Sequence, residues 1–346
     1  MITEDLKNLS IALNEGKTVN QICDSLTINR NELFCKIAIL KSFGKLYKSN
    51  YYSSGEIIYK PITSINTLED YYKGTCPIII TGYDEEKIDF LVLSDLHIGN
   101  NLSNIELTKY AYDYMLKNNI HLSLLLGDII DGTFSKVGQN IADVSYQIYE
   151  FLNKYPFDKN ILTFGVLGDH DLSALESEGI NLIDAIKYAR NDIVINKYFN
   201  DKVNIKNDSI LLMHKANALD KPSLTLEGHF HLFDTKMEEN KLTIKVPSLS
   251  KINYSEANAI HLTLEFNKGY IERVNIKALN LGSNVNIIKK EEHFFKLSEK
   301  DIKERVINEE GYTKKLNKIN SDRINKFNKK YGLWGKYDIR RKVKTG

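Results

Sequence analysis

Five short clusters of carboxylate and imidazole residues recur along this chain. They are Leu93-Ser94-Asp95-Leu96-His97, Gly127-Asp128-Ile129-Ile130-Asp131-Gly132, Gly168-Asp169-His170-Asp171, the single His214, and Gly228-His229-Phe230-His231. Carboxylate oxygens and imidazole nitrogens are ligands for divalent metal ions, and several of them brought together make a metal centre. Of the eight histidines, five lie in these clusters, so histidine is concentrated where such chemistry would occur; His121, His261 and His293 read as ordinary core or surface residues. Four clusters directly follow apolar runs that read as strands, residues 90–93, 122–126, 161–167 and 210–213, while the fifth follows a short alternating approach through Leu224 and Leu226. Strand ends can deliver ligands from distant parts of a chain to one point. The expected chemistry is metal-dependent phosphoester hydrolysis.

The order and content of these clusters resemble the calcineurin-like metallophosphoesterase superfamily, whose pattern runs D-x-H, G-D-x-x-D, G-N-H-[DE], H and G-H-x-H. The resemblance covers residues 87–282. One G-H-x-H is weak evidence because short motifs produce false positives, whereas five in sequence are specific. The resemblance implies an α/β fold, a β-sandwich flanked by helices. It also implies two divalent cations, with Asp95, His97 and His231 on one, Asp128 bridging, and Asp169, His214 and His229 on the other. Such a pair activates a water for in-line displacement. His170, directly after a ligand, would protonate the leaving oxygen or stabilise charge in the transition state; by the same resemblance Asp131 would orient it, with Asp171 as the alternative partner. Mixed donors suit Mn, Fe, Zn or Co, and manganese is expected from the superfamily's nuclease branch.

Two positions bear on activity and substrate. Asp169 stands where the family usually has asparagine, and a third negative ligand should raise the pKa of the bridging water. Gly132 follows Asp131 where the protein phosphatases of the superfamily place an arginine. The G-D-I-I-D-G stretch looks more like the nuclease branch, including the small subunit of archaeal D-family DNA polymerase. A phosphodiesterase or nuclease acting on DNA is therefore expected. The alternatives are a phosphatase or phosphodiesterase for a small nucleotide or phosphoprotein, and a non-catalytic DNA-binding regulator.

The elements that frame these clusters divide the chain into four parts. Residues 1–62 read as a winged helix-turn-helix: three amphipathic helices, the second capped by Thr18 and the third by Asn29 with Glu32, then a hairpin wing turned at Ser53-Ser54-Gly55. As a DNA reader this module would present Arg30, Asn31, Lys36 and Lys41 to the major groove. Its acidic residues largely offset that charge, so a protein partner or a homodimer is the competing expectation. Residues 63–86 form a connector whose apolar residues 78–80 would add an edge strand. Within 87–282, helices are expected over 105–117, 137–153 and 180–189, and strands over 242–246, 259–265 and 270–276. Residues 283–346 read as a basic extension in which Lys329, Lys330, Arg340 and Arg341 would meet nucleic acid, with Trp334 anchoring a helix.

Composition narrows the class. The chain has 346 residues, 42% hydrophobic and 27% charged, which is ordinary for a soluble globular protein of two or three domains. Its net charge of +2 hides an asymmetry, because the segment after Thr313 holds twelve basic and two acidic residues. Cys23, Cys35 and Cys76 form no C-x-x-C pair, which excludes a disulfide framework or zinc finger. The start of the chain does not look like a secretory signal, and no run approaches a membrane span. A cytoplasmic location, without membrane association, is expected.

Overall fold

In the strand Lys87–Leu93 (β4), side chains alternate between two faces, and both faces are apolar. Phe90 and Val92 enter one buried cluster, Leu91 and Leu93 another. Leu122–Leu126 (β5) and Leu162–Leu167 (β6) continue this pattern; β5 pairs with β4 and β6 with β5, both in parallel, as is usual for strands buried on both faces. The computed structural model describes residues 3–62, 78–81, 86–134, 138–215, 222–252 and 255–295.

Two sheets face one another. Ile193–Tyr198 (β7) joins the far side of β6. On the near side of β4 lie Ala259–Asn267 (β13), Tyr270–Asn280 (β14) and Asn286–Phe294 (β15), giving a seven-stranded sheet in the order β15-β14-β13-β4-β5-β6-β7. The second sheet contains the hairpin Tyr47–Tyr52 (β1) and Ile57–Pro61 (β2), then Ile78–Thr81 (β3), Asn200–Ile205 (β8) and Asp208–Met213 (β9). Leu224–Glu227 (β10), Asp234–Glu238 (β11) and Lys241–Lys245 (β12) complete it, in the order β11-β12-β10-β9-β8-β3-β1-β2. Phe90, Val92, Leu124 and Phe164 meet Ile210, Leu212 and Leu226 between the sheets. On the outer face of the first sheet, Leu91, Leu93 and Leu125 pack with Met115, Phe151 and Ile186. These last residues come from the helices Leu107–Lys117 (α4), Val144–Lys154 (α5) and Leu182–Ala189 (α7). The fold is thus mixed α/β, a two-sheet sandwich with helices against it.

Several elements depart from the sequence reading. The helix expected over 137–153 starts only at Val144, where the Asp143 side chain accepts from the Tyr146 N–H. The preceding stretch instead bridges Gln139 to Asn100. Residues 286–294, placed by sequence in the basic extension, form β15, whose mostly exposed Lys and Glu residues hide its pairing with β14. The expected edge strand at 78–80 is an interior one, lying between β8 and β1.

That interior strand ties the N-terminal residues to the sandwich. Glu4–Asn14 (α1), Val19–Leu26 (α2) and Arg30–Ser42 (α3) precede the β1–β2 hairpin. Thr18 and Gln21 cap α2 reciprocally, and Asn29 caps α3 through the Glu32 N–H. The hairpin extends the second sheet through β3, and the Tyr51 ring meets Phe164 edge-on at 5.1 Å. Its turn at Gly55 (φ +77°) touches the body so closely that a Cβ there would lie 1.8 Å from the Asn160 carbonyl oxygen. The basic segment with Lys329, Lys330, Trp334, Arg340 and Arg341 lies outside the described residues. Among those described, no helix is long and apolar enough to cross a membrane.

Candidate metal centre

The ligand clusters all follow the C-terminal ends of parallel strands. β4, β5 and β6 run parallel in one sheet, and β9 and β10 run parallel in the other. Beyond the strands, the first two loops stay in register, with Asp95 N–H donating to Gly127 O (3.0 Å) and His97 N–H to Asp128 O (2.9 Å). Asp95, His97, Asp128, His229 and His231 all have positive φ, between +47° and +70°. Non-glycine residues rarely adopt that region, and a concentration of them marks backbone shaped for a function.

The side chains gather into groups that share residues or stand side by side. Asp95, His97 and His231 form one, Asp128, Asp169, His214 and His229 a second, and His97, Asp131 and His170 a third, with donor atoms in each within 4.8 Å of one another. All seven expected ligands are therefore brought together. Asp128 Oδ2 stands between the first two groups, 3.0 Å from His214 Nε2 and 3.8 Å from His97 Nε2. His229 also spans them: its ring approaches Asp169 (3.5 Å), while its backbone N–H donates to Asp95 Oδ2 (3.0 Å).

The donor set fits divalent cations. Asp95 Oδ1 is buried without a hydrogen-bond partner, and His97 Nε2 faces His231 Nε2 at 3.3 Å. His231 Nδ1 donates to Ile252 O (3.0 Å) and His214 Nδ1 to Leu126 O (2.7 Å), so Nε2 of each points inward and, in the neutral ring, offers its lone pair to a cation. Burial would raise the Asp95 carboxyl, but the approach of His231 and the charges of His214, His231 and His97 hold it at about 2. Burial likewise works against the His214 charge, yet Asp128 and Asp169 raise its pKa well above the ordinary range. Three carboxylates make a well of negative potential that a cation fills.

Tight packing explains the glycines before the ligands. A Cβ on Gly168 would lie 2.1 Å from Asp128 Oδ1, and one on Gly127 2.6 Å from His214 Nδ1. Asp171, the alternative partner for His170, is turned elsewhere: Oδ1 accepts from the N–H groups of Ile129 (2.9 Å) and Ile130 (3.0 Å), and Oδ2 from Gly168 N–H (2.8 Å). It latches the Asp128 turn to the start of Asp169–Glu178 (α6). Burial and the Asp128 charge push its carboxyl up to about 7, against the pull of these donors. Asp171→Ala strands three buried N–H groups and should cost roughly 3–5 kcal/mol of stability in chemical denaturation. A loss under about 1 kcal/mol would show that water replaces the carboxylate.

His170 Nδ1 donates to the backbone carbonyl of Asp131 (2.8 Å), while the Asp131 carboxylate is 3.7 Å away and nearer His97 Nδ1 (3.5 Å). The orienting contact expected from the Asp131 carboxylate is thus made by its main chain. Asn100 and Gln139 donate to that carboxylate, and Ser94 Oγ to Asp95 Oδ2. Sequence reasoning missed these residues, although Ser94 is flagged by adjacency to a ligand. It also missed Lys215, whose Nζ lies 3.9 Å from Asp169 Oδ2. Burial would raise the Asp169 carboxyl, but hydrogen bonds from His214 and His229 hold it far below the carboxylate range.

Asp169 and Lys215 carry opposite charges, and opposed effects on water activation are expected of them. Asp169→Asn removes negative charge, favours the deprotonated nucleophile, and should move the acidic limb of the kcat/KM–pH profile downward. Lys215→Met should move it upward by less, because its side chain is 55% exposed. Unchanged profiles in both variants would show that neither charge tunes the centre.

The proposed nucleic-acid residues of the N-terminal helices are less concentrated. Lys36 pairs with Glu32 (2.9 Å) and approaches Asp5 (4.0 Å). Arg30 donates to Asn20 Oδ1 and to the Lys159 carbonyl of the sandwich. Asn31 lines a cavity beside Arg30, and Lys41 lies near the end of α3.

The strand-end ligands and two-sheet sandwich define a metal-dependent phosphoesterase fold. Residues 88–262 match the calcineurin-like phosphoesterase family, and the chain belongs to that family. No curated protein matches it. Similar solved structures include Yfce, a phosphoesterase from E. coli, at 15% identity and TM-score 0.37, covering 59% of this chain and 98% of that one. Vacuolar Protein Sorting 29 from Cryptosporidium parvum is similar at 17% identity and TM-score 0.36, covering 60% of this chain and 97% of that one.

Proposed function

We propose that this chain is a two-metal phosphodiesterase that cleaves nucleic acid, with manganese as the working metal. The reading of the substrate is carried by two exposed rings at the site. Phe134, 57% exposed, lies 5.2 Å from the His170 ring, and Phe230, 38% exposed, lies 5.7 Å from the His229 ring. His170 and His229 both line a cavity of about 660 Å³, together with the neutral residues Asn100, Asn101, Leu102 and Ile252. Aromatic faces next to amides suit the unstacked bases and sugars that flank a phosphodiester. Lys245, its Nζ 5.2 Å from the Phe230 ring centre and 3.1 Å from Asp234 Oδ2, places an ion pair beside one platform.

Asp95, His97 and His231 would hold one cation, Asp169, His214 and His229 the other, and Asp128 both. When bound, the pair supplies an activated nucleophile and neutralises charge as the ester breaks. The tautomers of His214 and His231 are held by Leu126 O and Ile252 O, which aims their Nε2 atoms before substrate arrives. His170, held through Nδ1, leaves Nε2 free to pass a proton to the leaving oxygen. The N-terminal helices and the basic segment after Thr313 would add phosphate contacts of low sequence specificity.

Manganese-loaded protein should degrade labelled single-stranded DNA, duplex DNA or RNA and turn over bis-p-nitrophenyl phosphate faster than p-nitrophenyl phosphate. Phe134→Ala should raise KM for an oligonucleotide by about tenfold, since stacking on an aromatic ring contributes roughly 1–3 kcal/mol per base. Turnover of the monoester without cleavage of any nucleic acid would favour the phosphatase alternative.

A further inference from the structure

We propose that a second ligand site, between the N-terminal helices and the sandwich, binds a nucleotide through Arg30, Asn191 and Phe157. A cavity of about 770 Å³ lies there, within the roughly 300–1,000 Å³ typical of small-molecule pockets. One wall comes from α2 and the start of α3, including Asn20, Cys23 and Arg30; the other comes from residues 152–159 and 189–192. The latter segments precede β6 and β7, whereas the metal ligands follow the opposite ends of the parallel strands. The six residues of β6 therefore separate the two sites by about 20 Å.

Three buried polar atoms in the residues lining this cavity lack hydrogen-bond partners: the donor Nη1 of Arg30, the hydroxyl of Tyr155 and the acceptor Oδ1 of Asn191. The other terminal nitrogen of Arg30, Nη2, is engaged by Asn20 Oδ1 (2.9 Å) and Lys159 O (2.8 Å), which fixes the guanidinium in place. Arg190, on the facing wall, is occupied by its paired Asp192 and by the carbonyls of Leu152, Tyr155 and Pro156. Arg30 is thus the lining guanidinium with a donor left over. The lining holds four basic side chains, Arg30, Lys154, Lys159 and Arg190, against Asp24 and Asp192. The Phe157 ring, 55% exposed, lies 5.7 Å from the Arg30 guanidinium carbon.

A ligand that completes this site needs an anionic acceptor for Arg30, a donor for Asn191 and a flat face for Phe157. A phosphate meets guanidinium donors well. A base stacks on the ring, and a sugar hydroxyl or exocyclic amine donates to the amide oxygen. Inorganic phosphate answers only the first requirement. A nucleotide answers all three.

Isothermal titration of AMP into the full-length, manganese-loaded protein tests this. AMP should bind saturably, with affinity lowered at least tenfold by Asn191→Leu and by Phe157→Ala and changed less than twofold by His229→Ala. Inorganic phosphate should bind at least tenfold more weakly than AMP. Arg30→Gln should abolish binding, but it also cuts the link to Lys159, so the other two cavity variants decide. The proposal is overturned if AMP gives no saturable heat, or if binding is lost in His229→Ala and intact in both Asn191→Leu and Phe157→Ala, which places AMP at the metal centre. Phosphate binding as tightly as AMP would overturn the nucleotide assignment.

Discussion

Asp128→Asn should lower kcat on a phosphodiester by on the order of 10³-fold or more while leaving the fold intact. The two oxygens of Asp128 have different duties: Oδ1 accepts from the His170 N–H at 3.0 Å, and Oδ2 faces His214 and His97 in the two donor groups. An amide cannot serve both. If its oxygen keeps the His170 contact, its NH₂ points at the donor groups where a cation would sit; if it turns round, two donors meet at His170. Either way the negative charge that Asp128 presents to the two donor groups is lost, and electrostatic stabilisation of the transition state supplies most of the rate enhancement in such sites. Shape is conserved, so the melting transition should move by only a few degrees while metal analysis shows a deficit. Full turnover by this variant would remove Asp128 from the centre and the two-metal assignment with it.

His170→Ala has the second largest expected effect and a different signature. General acid catalysis is worth about 10²–10⁴-fold, and His170 belongs neither to the group of Asp95, His97 and His231 nor to that of Asp128, Asp169, His214 and His229. Metal content should therefore be unchanged while kcat falls, most steeply for substrates with poor leaving groups, which need the proton most. Asp131→Asn should fall less on this account, because the 2.8 Å contact that orients His170 comes from the Asp131 backbone carbonyl, which substitution preserves. Its residual effect should appear in metal affinity, through the carboxylate 3.5 Å from His97 Nδ1. Metal loss in His170→Ala, or equal loss of kcat with good and poor leaving groups, would remove it as the general acid.

Asp131 and Asp171 show where sequence reasoning stops. Both carboxylates are two to three residues from a metal ligand in short loops, and either could face His170. Which one does depends on loop conformation: Asp171 is captured by three N–H groups, two of them from the turn after Asp128, some forty residues earlier. Lys215 is similar, because its approach to Asp169 requires the end of β9 and the start of α6 to lie beside one another. Arg30 reads as a groove-facing residue from helical spacing alone, yet it reaches the Lys159 carbonyl, 129 residues away. Spacing reports the face of a helix, not what is packed against it.

Residue order alone was enough to pick out the carboxylates and imidazoles that converge and the strands that deliver them. The signals there are local: an apolar run buried on both faces, a glycine where a Cβ would strike a neighbour, and a carboxylate or imidazole immediately after. Those features survive in one dimension because strand burial and ligand chemistry each constrain residue type at fixed positions. Folding was needed to settle that Asp128 stands between two donor groups, that Asp171 is a latch, and that β3 joins the hairpin to the sandwich. It also placed β15, in which the run from Lys289 to Glu292 breaks the apolar pattern, at the edge of the first sheet. Backbone hydrogen bonds and convergence at a point depend on partners remote in the chain, and residue type at one position carries little information about them.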